Sequence, residues 1–194
     1  GGQAARAALL SGRGSVVVVP DQRDVARVDA ALTEVLGRDQ HVRLTAEQGP
    51  QARYTAWLKV LRGHVRVVVG TRAAAYAPVR DLGLVVWWDD TDPLHAEPHA
   101  PYPHVRDVLR ERARLSGASL VSAGPTRSAA VEAWVESGDL VAVDAVGEAL
   151  QKGRAVAGGA HQRSVAAVVD SECDGAVVPD EIALAAAVLA EFGK

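Results

Sequence analysis

The chain has 194 residues, a net charge of −3 at pH 7 and a hydrophobic content of 48%, which suits one α/β domain, with or without an appendage. Its pI near 6.1 argues against an autonomous, strongly electrostatic nucleic-acid binder. The single cysteine excludes a disulfide framework and a cysteine-rich zinc module. No apolar run is long enough to cross a bilayer, so we expect a cytoplasmic protein. Because the sequence contains no methionine, we also expect a fragment or a processed product.

Apolar runs alternate with helical patterns over residues 1–145, which predicts parallel strands joined by crossover helices. Strands are predicted at residues 15–19, 41–45, 65–69, 84–88 and 118–122. Helices are predicted at residues 21–36, 51–61, 105–115 and 128–136. Asp21 is the expected N-cap of the first helix and Gly37 its stop, while Gly63 and Gly117 close the next two helices. The prediction is a three-layer αβα domain around a five-stranded parallel sheet.

Residues 146–194 differ in pattern, and we predict a small α/β appendage for them. The pattern favours a helix at 146–157, a strand at 164–169 and a helix at 179–192 that starts with acidic residues. Cys173 falls in a loop between acidic residues, which disfavour its thiolate, so we expect no catalytic role for it.

The stretch Leu82–His95, LGLVVWWDDTDPLH, reads as a buried strand that ends in three aspartates, Asp89, Asp90 and Asp92. Carboxylates at the carboxyl end of a buried parallel strand are where a nucleoside triphosphatase holds magnesium. Such an enzyme also needs a phosphate cradle, Gly-x-x-x-x-Gly-Lys-Ser/Thr. No lysine of this chain is followed by Ser or Thr; the lysines are Lys59, Lys152 and Lys194. The metal half of a nucleotide site is therefore indicated, and the phosphate half is missing.

Two tryptophans, Trp87 and Trp88, precede these aspartates. Adjacent residues of a strand point to opposite faces of the sheet, so the two rings cannot form one stacking surface for bases. We expect Trp87 to pack beneath a helix. We expect Trp88, at the end of the strand, to fill the space that a nucleotide would occupy.

Three histidines, His95, His99 and His104, follow close to Glu97 and Asp92. These residue types can bind zinc. However, four prolines lie among them, so no helix aligns the rings. We therefore favour a proline-stiffened surface loop and assign no metal site.

Three segments carry a resemblance to a known family: VVVVPDQRDVARVDAAL, VRVVVGTRAAAYAPVRDLGLVVWWDD and PHVRDVLRERARLSGASLV. In this order they resemble the PriA family of primosomal replication-restart proteins over about residues 14–138. The likeness is greatest to degenerate PriA-like proteins of high-GC bacteria. Since the family resembles superfamily-2 helicases, the resemblance implies that residues 1–145 are a first RecA-like lobe, of the P-loop NTPase type.

The resemblance also places Thr71 and Arg72, in VGTRAAAYAP, near the phosphates of a DNA single strand. A hydroxyl, a guanidinium fork and free backbone amides at a strand end all suit an anion. The alternative is that Thr71 caps a short helix while Arg72 is solvated.

The departures from the family concern its catalytic motifs. Its acidic motif, Asp-Glu-Glu-His, aligns without gaps to Trp88, Asp89, Asp90 and Thr91. A slip of one residue restores Asp89 in the first place, but neither alignment supplies the histidine. The family's next motif, Gly-Ser-Ala-Thr-Pro, keeps only Thr126. We therefore assign Asp89 and Asp90 to a vestigial nucleotide site and name no catalytic residue.

The second RecA-like lobe of the family and its zinc-binding cysteines are also missing from this chain. The leading prediction is a PriA-like replication-restart fragment. It would be a degenerate helicase lobe that binds DNA weakly and non-specifically, or primosome proteins, without a cofactor and without ATP hydrolysis. One alternative is a part of an active ATP-dependent DNA translocase, which would need ATP and magnesium. Another is an α/β scaffold or binding module unrelated to DNA.

Overall fold

The protein is described by a computed structural model, which covers residues 5, 8–99, 101–144 and 164–168. Its strands are β1 (Gly14–Val18), β2 (His41–Leu44), β3 (Val67–Gly70), β4 (Leu82–Trp88), β5 (Ser119–Gly124), β6 (Val141–Asp144) and β7 (Ser164–Val168). Its helices are α1 (Gln22–Leu36), α2 (Pro50–Leu61), α3 (Val105–Ser116) and α4 (Ala129–Glu136). Short 3₁₀ turns lie at Ala46–Gln48, Arg72–Tyr76 and Pro93–His95.

These strands form one sheet in the order β2-β3-β1-β4-β5-β7-β6. The first five are parallel, whereas β7 runs antiparallel to both β5 and β6. The α/β class, the five predicted parallel strands and the four predicted helices of residues 1–145 are confirmed, with bounds shifted by one or two residues at most ends.

The strand β6, Val141–Asp144, was not predicted from the sequence. The strand predicted at 164–169 is confirmed as β7. The helices predicted at 146–157 and 179–192, and Cys173, lie outside the described residues. The domain boundary at residue 145 stays a prediction, although β7 joins the same sheet as the strands before it.

Helix ends follow the sequence signals. The Asp21 carboxylate accepts hydrogen bonds from the amides of Arg23 and Asp24, so it caps α1 as predicted. The helix stops at Gly37, which has a φ of 92°. Gly117 ends α3 in the left-handed conformation, with a φ of 55°, which a residue without a Cβ adopts at little cost.

The two faces of the sheet bury separate apolar clusters, because consecutive strand residues alternate between them. Val16 and Val18 of β1 belong to the cluster that packs against α2, α3 and α4. Val17 belongs to the cluster on the other face, which packs against α1. In the described part of the chain, every helix is too short or too polar to pass through a bilayer.

Candidate functional site

The carboxyl ends of β1, β3, β4 and β5 share one edge of the sheet. Val18 pairs with Gly70 and with Trp87 in register, and Trp88 pairs with Ala123. The loops after these strands therefore come together, as in other parallel α/β proteins that place ligands there. The polar residues that they bring to this edge are Asp21, Thr71, Arg72, Asp89, Asp90, Asp92 and Thr126.

Asp89 is held in an uncommon backbone conformation directly after β4. Its φ is 52°, and its amide donates a 2.7 Å hydrogen bond to the carbonyl of Ala123 on β5. The two loops approach so closely that a Cβ on Gly124 would lie 3.1 Å from the Asp89 Cα. The Thr91 hydroxyl donates to the Asp89 carboxylate at 2.9 Å. Asp89 is therefore oriented by its neighbours and only partly exposed.

Asp90 is buried, with 7% of its surface exposed. Its Oδ2 accepts a 2.7 Å hydrogen bond from the backbone amide of Ser128, 38 residues away. Ser128 is also the N-cap of α4, where its hydroxyl accepts from the amide of Val131 at 3.2 Å. A carboxylate next to the start of a helix is stabilised by the free amides and the helix dipole. The Asp90 carboxylate thus fastens the β4 loop to α4.

Trp87 packs beneath α3, as predicted. It is fully buried and belongs to the same cluster as Val105 and Leu109 of that helix. Its indole meets the rings of His95 and His104 edge-on, with centroids 5.7 Å and 6.4 Å away.

The expectation of a surface loop is wrong for His95, which is fully buried. Its Nε2–H donates to the Trp88 carbonyl at 2.9 Å, and burial lowers its pKa below the ordinary value despite three aspartates nearby. The ring is therefore held neutral. The buried His95 Nδ1 finds no partner among the described residues. His99, in contrast, is exposed.

Trp88 lies on the opposite face, as predicted from its position next to Trp87. It is partly buried against the apolar cluster that includes Val25, Val28 and Leu32 of α1. Its position at the end of β4 is confirmed. Whether it occludes a nucleotide stays a prediction.

Carboxylates dominate the electrostatics of this edge. The pKa of Asp24, in the first turn of α1, is raised by burial first and then by Asp21, Asp89 and Asp92, while Arg27 partly offsets these effects. These acidic groups therefore lie close enough to repel one another. Yet no group of three His, Cys, Asp or Glu side chains among the described residues could hold a metal ion.

Thr71 and Arg72 follow β3 at the same edge. Thr71 precedes the 3₁₀ turn Arg72–Tyr76, and its side chain makes no capping hydrogen bond. The Arg72 guanidinium donates to the carbonyl of Ala96, which ties the loop after β3 to the loop after β4. Both residues are half-buried, so Arg72 is not simply solvated. Contact of either residue with phosphate stays a prediction.

The described residues contain one lysine, Lys59, and it is far from the aspartates. Lys59 lies in the last turn of α2. This helix starts after the carboxyl end of β2 and returns to the amino end of β3, so its last turn is at the opposite edge of the sheet. Lys152 and Lys194 lie outside the described residues.

Two residues of this edge escape sequence reasoning, namely Ser128 as the partner of Asp90 and His95 as a buried group. A shared sheet edge, where β4 and β5 were both predicted to end, brings the two loops together but does not identify Ser128 as the partner. For His95 the sequence offers no signal of burial; the Asp92 carboxylate accepts from the amide of Leu94 at 2.8 Å and starts the 3₁₀ turn that carries the ring.

The protein is thus an α/β domain whose parallel strands end in acidic and polar loops at one edge of the sheet. The chain is 46% identical over 147 residues to the "Probable replication restart protein PriA" of Mycobacterium leprae, covering 74% of this chain and 23% of that protein. It is 43% identical over 136 residues to the protein of the same name from Mycobacterium tuberculosis, covering 70% and 21%. With the "Replication restart protein PriA" of Treponema pallidum it shares 32% identity over 135 residues, or 68% and 20%.

No family model matches the chain. The resemblance predicted from the sequence is confirmed by these relatives, so the chain is PriA-like and homologous to one part of the replication restart proteins. It spans less than a quarter of the length of the relatives named above.

Proposed function

We propose that this chain acts in replication restart as a RecA-like motor lobe that has lost ATP hydrolysis and retains weak, non-specific binding to DNA or to primosome proteins. The names of its relatives support the role in replication restart. The parallel sheet flanked by helices is compatible with the RecA-like fold.

The observation that carries the loss of hydrolysis is the hydrogen bond between Asp90 and the Ser128 amide. Phosphoryl transfer depends on positioning and on neutralising charge at the phosphates. Here the buried carboxylate serves to join two elements of the fold. Lys59, the lysine of the described residues, is at the far edge of the sheet, and the acidic groups near Asp24 would repel a triphosphate.

The proposed DNA contact is the loop after β3. Thr71 keeps its hydroxyl free of a helix cap, and the Arg72 fork uses one amino group on Ala96, which leaves other donors for a phosphate oxygen. A phosphate contact carries no base information, so binding through this loop is independent of sequence.

The test is a measurement of ATP hydrolysis and of nucleotide binding by the whole chain, with and without single-stranded DNA. We expect no hydrolysis above buffer in either case. A DNA-stimulated rate that disappears in Asp89→Ala would overturn the proposal.

That outcome would instead favour a piece of an active ATP-dependent translocase. The observation behind this alternative is that the chain matches only about a fifth of its relatives' length, and a complete motor needs further parts. If the chain binds neither DNA nor nucleotide at low salt, a scaffold unrelated to DNA is favoured.

A further inference from the structure

Helix α2 and its flanks are positively charged, although the chain as a whole is acidic. Residues 49–64 contain three cationic side chains and no acidic one, although the whole chain has a net charge of −3. The cations are Arg53, Lys59 and Arg62. All three are exposed, so they present a local positive field on an acidic protein.

These three side chains make no hydrogen bond or ion pair within the described part of the chain. Other arginines are used by the fold. Arg13 donates to the carbonyls of Leu82 and Gly117, and Arg112 donates to the carbonyls of Ala75 and Ala77. The cations of α2 are thus available to a ligand, whereas these arginines are structural.

An exposed aromatic ring stands among them. Tyr54 is 65% exposed and forms the wall between two grooves. The first, of about 610 Å³, is lined by Leu44, Pro50, Arg53, Tyr54, Trp57 and Ala73. The second, of about 440 Å³, lies on the other side of Tyr54 and reaches Lys59, Arg62 and His64. The ring is therefore accessible from the grooves to flat, apolar groups.

The surface is continuous with the loop after β3, because Ala73 in the wall of the first groove follows Arg72 directly. From there it runs along α2, whose twelve residues span about 18 Å at 1.5 Å per residue. A ligand that lies on α2 can therefore also reach Thr71 and Arg72.

We propose that this α2 surface, formed by Arg53, Tyr54, Lys59 and Arg62 with the two grooves, binds single-stranded nucleic acid. Bases stack on Tyr54 and enter the grooves, and the three cations contact phosphates. Stacking on exposed aromatic rings combined with a cationic track is how proteins bind single strands without sequence preference. A protein partner fits less well, since the cores of protein interfaces are depleted of charged residues, whereas this surface carries three cations and suits a polyanion. The inference rests on the proposed function for its ligand class and adds a contact surface next to the Thr71–Arg72 loop.

The experiment compares binding of a labelled oligothymidylate to the whole chain and to four variants at low salt. Tyr54→Ala removes the stacking ring, and Tyr54→Phe keeps it. Tyr102→Ala is the matched control, because Tyr102 is 67% exposed and lines neither groove. Arg72→Ala removes the loop contact. An abasic strand of the same length and an acidic peptide serve as competitors.

We expect Tyr54→Ala to weaken binding about tenfold, since stacking contributes about 1–3 kcal/mol per base. Tyr54→Phe and Tyr102→Ala should bind as the unaltered chain does. The abasic strand should compete poorly, because it offers charge without bases. Far-UV circular dichroism checks that each variant is folded.

If Tyr54→Ala binds the oligothymidylate as tightly as the unaltered chain, the proposed α2 surface is refuted. If only Arg72→Ala loses affinity, the loop contact alone is supported. Loss in Tyr54→Ala with no effect of Arg72→Ala would support the α2 surface and remove the loop contact. If the acidic peptide competes as well as the oligothymidylate, the surface is a protein-docking site and the inference falls. No binding at low salt would refute both contacts.

Discussion

Replacing Asp90 with alanine distinguishes a structural carboxylate from a magnesium ligand. The substitution removes the acceptor of the Ser128 amide at 2.7 Å in a site where Asp90 is only 7% exposed. Hydrogen bonds to charged groups contribute about 1.5–3 kcal/mol, so we expect a loss of about 2 kcal/mol in the free energy of unfolding. For a chain of this size that corresponds to a fall in Tm of about 4–8 °C.

The measurement is thermal and urea unfolding of the unaltered chain, Asp90→Ala, Asp90→Asn and Asp92→Ala. Asp90→Asn keeps an oxygen acceptor, so its loss should be smaller, about 1 kcal/mol. Asp92→Ala is the local control, because among the described residues Asp92 accepts from the nearby Leu94 amide of a short 3₁₀ turn and joins no distant element.

The same samples are unfolded with magnesium and ATP. A ligand that binds only the folded state raises its stability, and we expect no such rise. If magnesium with ATP raised the Tm of the unaltered chain but not of Asp90→Ala, the structural role of Asp90 would be refuted.

Three further outcomes are expected. Arg72→Ala should weaken binding to all single strands about equally, from a Kd of about 10⁻⁴–10⁻⁶ M at physiological salt, while the control Tyr102→Ala should bind as the unaltered chain does; salt-titrated anisotropy checks this, and unchanged binding in Arg72→Ala would contradict it. Burial lowers the pKa of His95 in the folded state, so the unfolded chain takes up a proton at a higher pH than the folded chain does. The free energy of unfolding should therefore fall as the pH drops below about 6.5. In His95→Gln the Tm should depend less steeply on pH. Gly70→Ala should cost about 2 kcal/mol or more, because its Cβ would overlap the Leu44 carbonyl oxygen; a Tm equal to that of the unaltered chain would show that the strands can separate there.

Local signals in the sequence were sufficient for most of the parallel sheet. Each buried strand is a short apolar run bounded by a glycine or a polar residue, and helix ends are marked by groups such as Asp21 and Gly117, whose caps act within a few residues. The face of each tryptophan also followed from strand alternation alone, so Trp87 and Trp88 fall in different clusters.

Features that depend on distant contacts could not be predicted in this way. Asp90 and Ser128 are 38 residues apart, and neither residue type indicates which residue is its hydrogen-bond partner. His95 is buried because its ring fits against Trp87 and reaches the Trp88 carbonyl, whereas its proline-rich sequence is typical of an exposed loop. The strand β6 pairs with β7, in pairs such as Val141 with Ala167 and Asp144 with Ser164 that are far apart in the chain, so no local pattern reveals its place.

The order of the strands also sets how firmly each one is held. Among the described strands, β2 lies at one edge of the sheet and pairs only with β3, whereas β1 and β4 are paired on both sides. A strand paired on one side has fewer long-range contacts, so its local stability is lower. Amide hydrogen exchange should accordingly be faster in β2 than in the central β1 and β4, and α2 with its cations should open before the elements that cover the centre of the sheet.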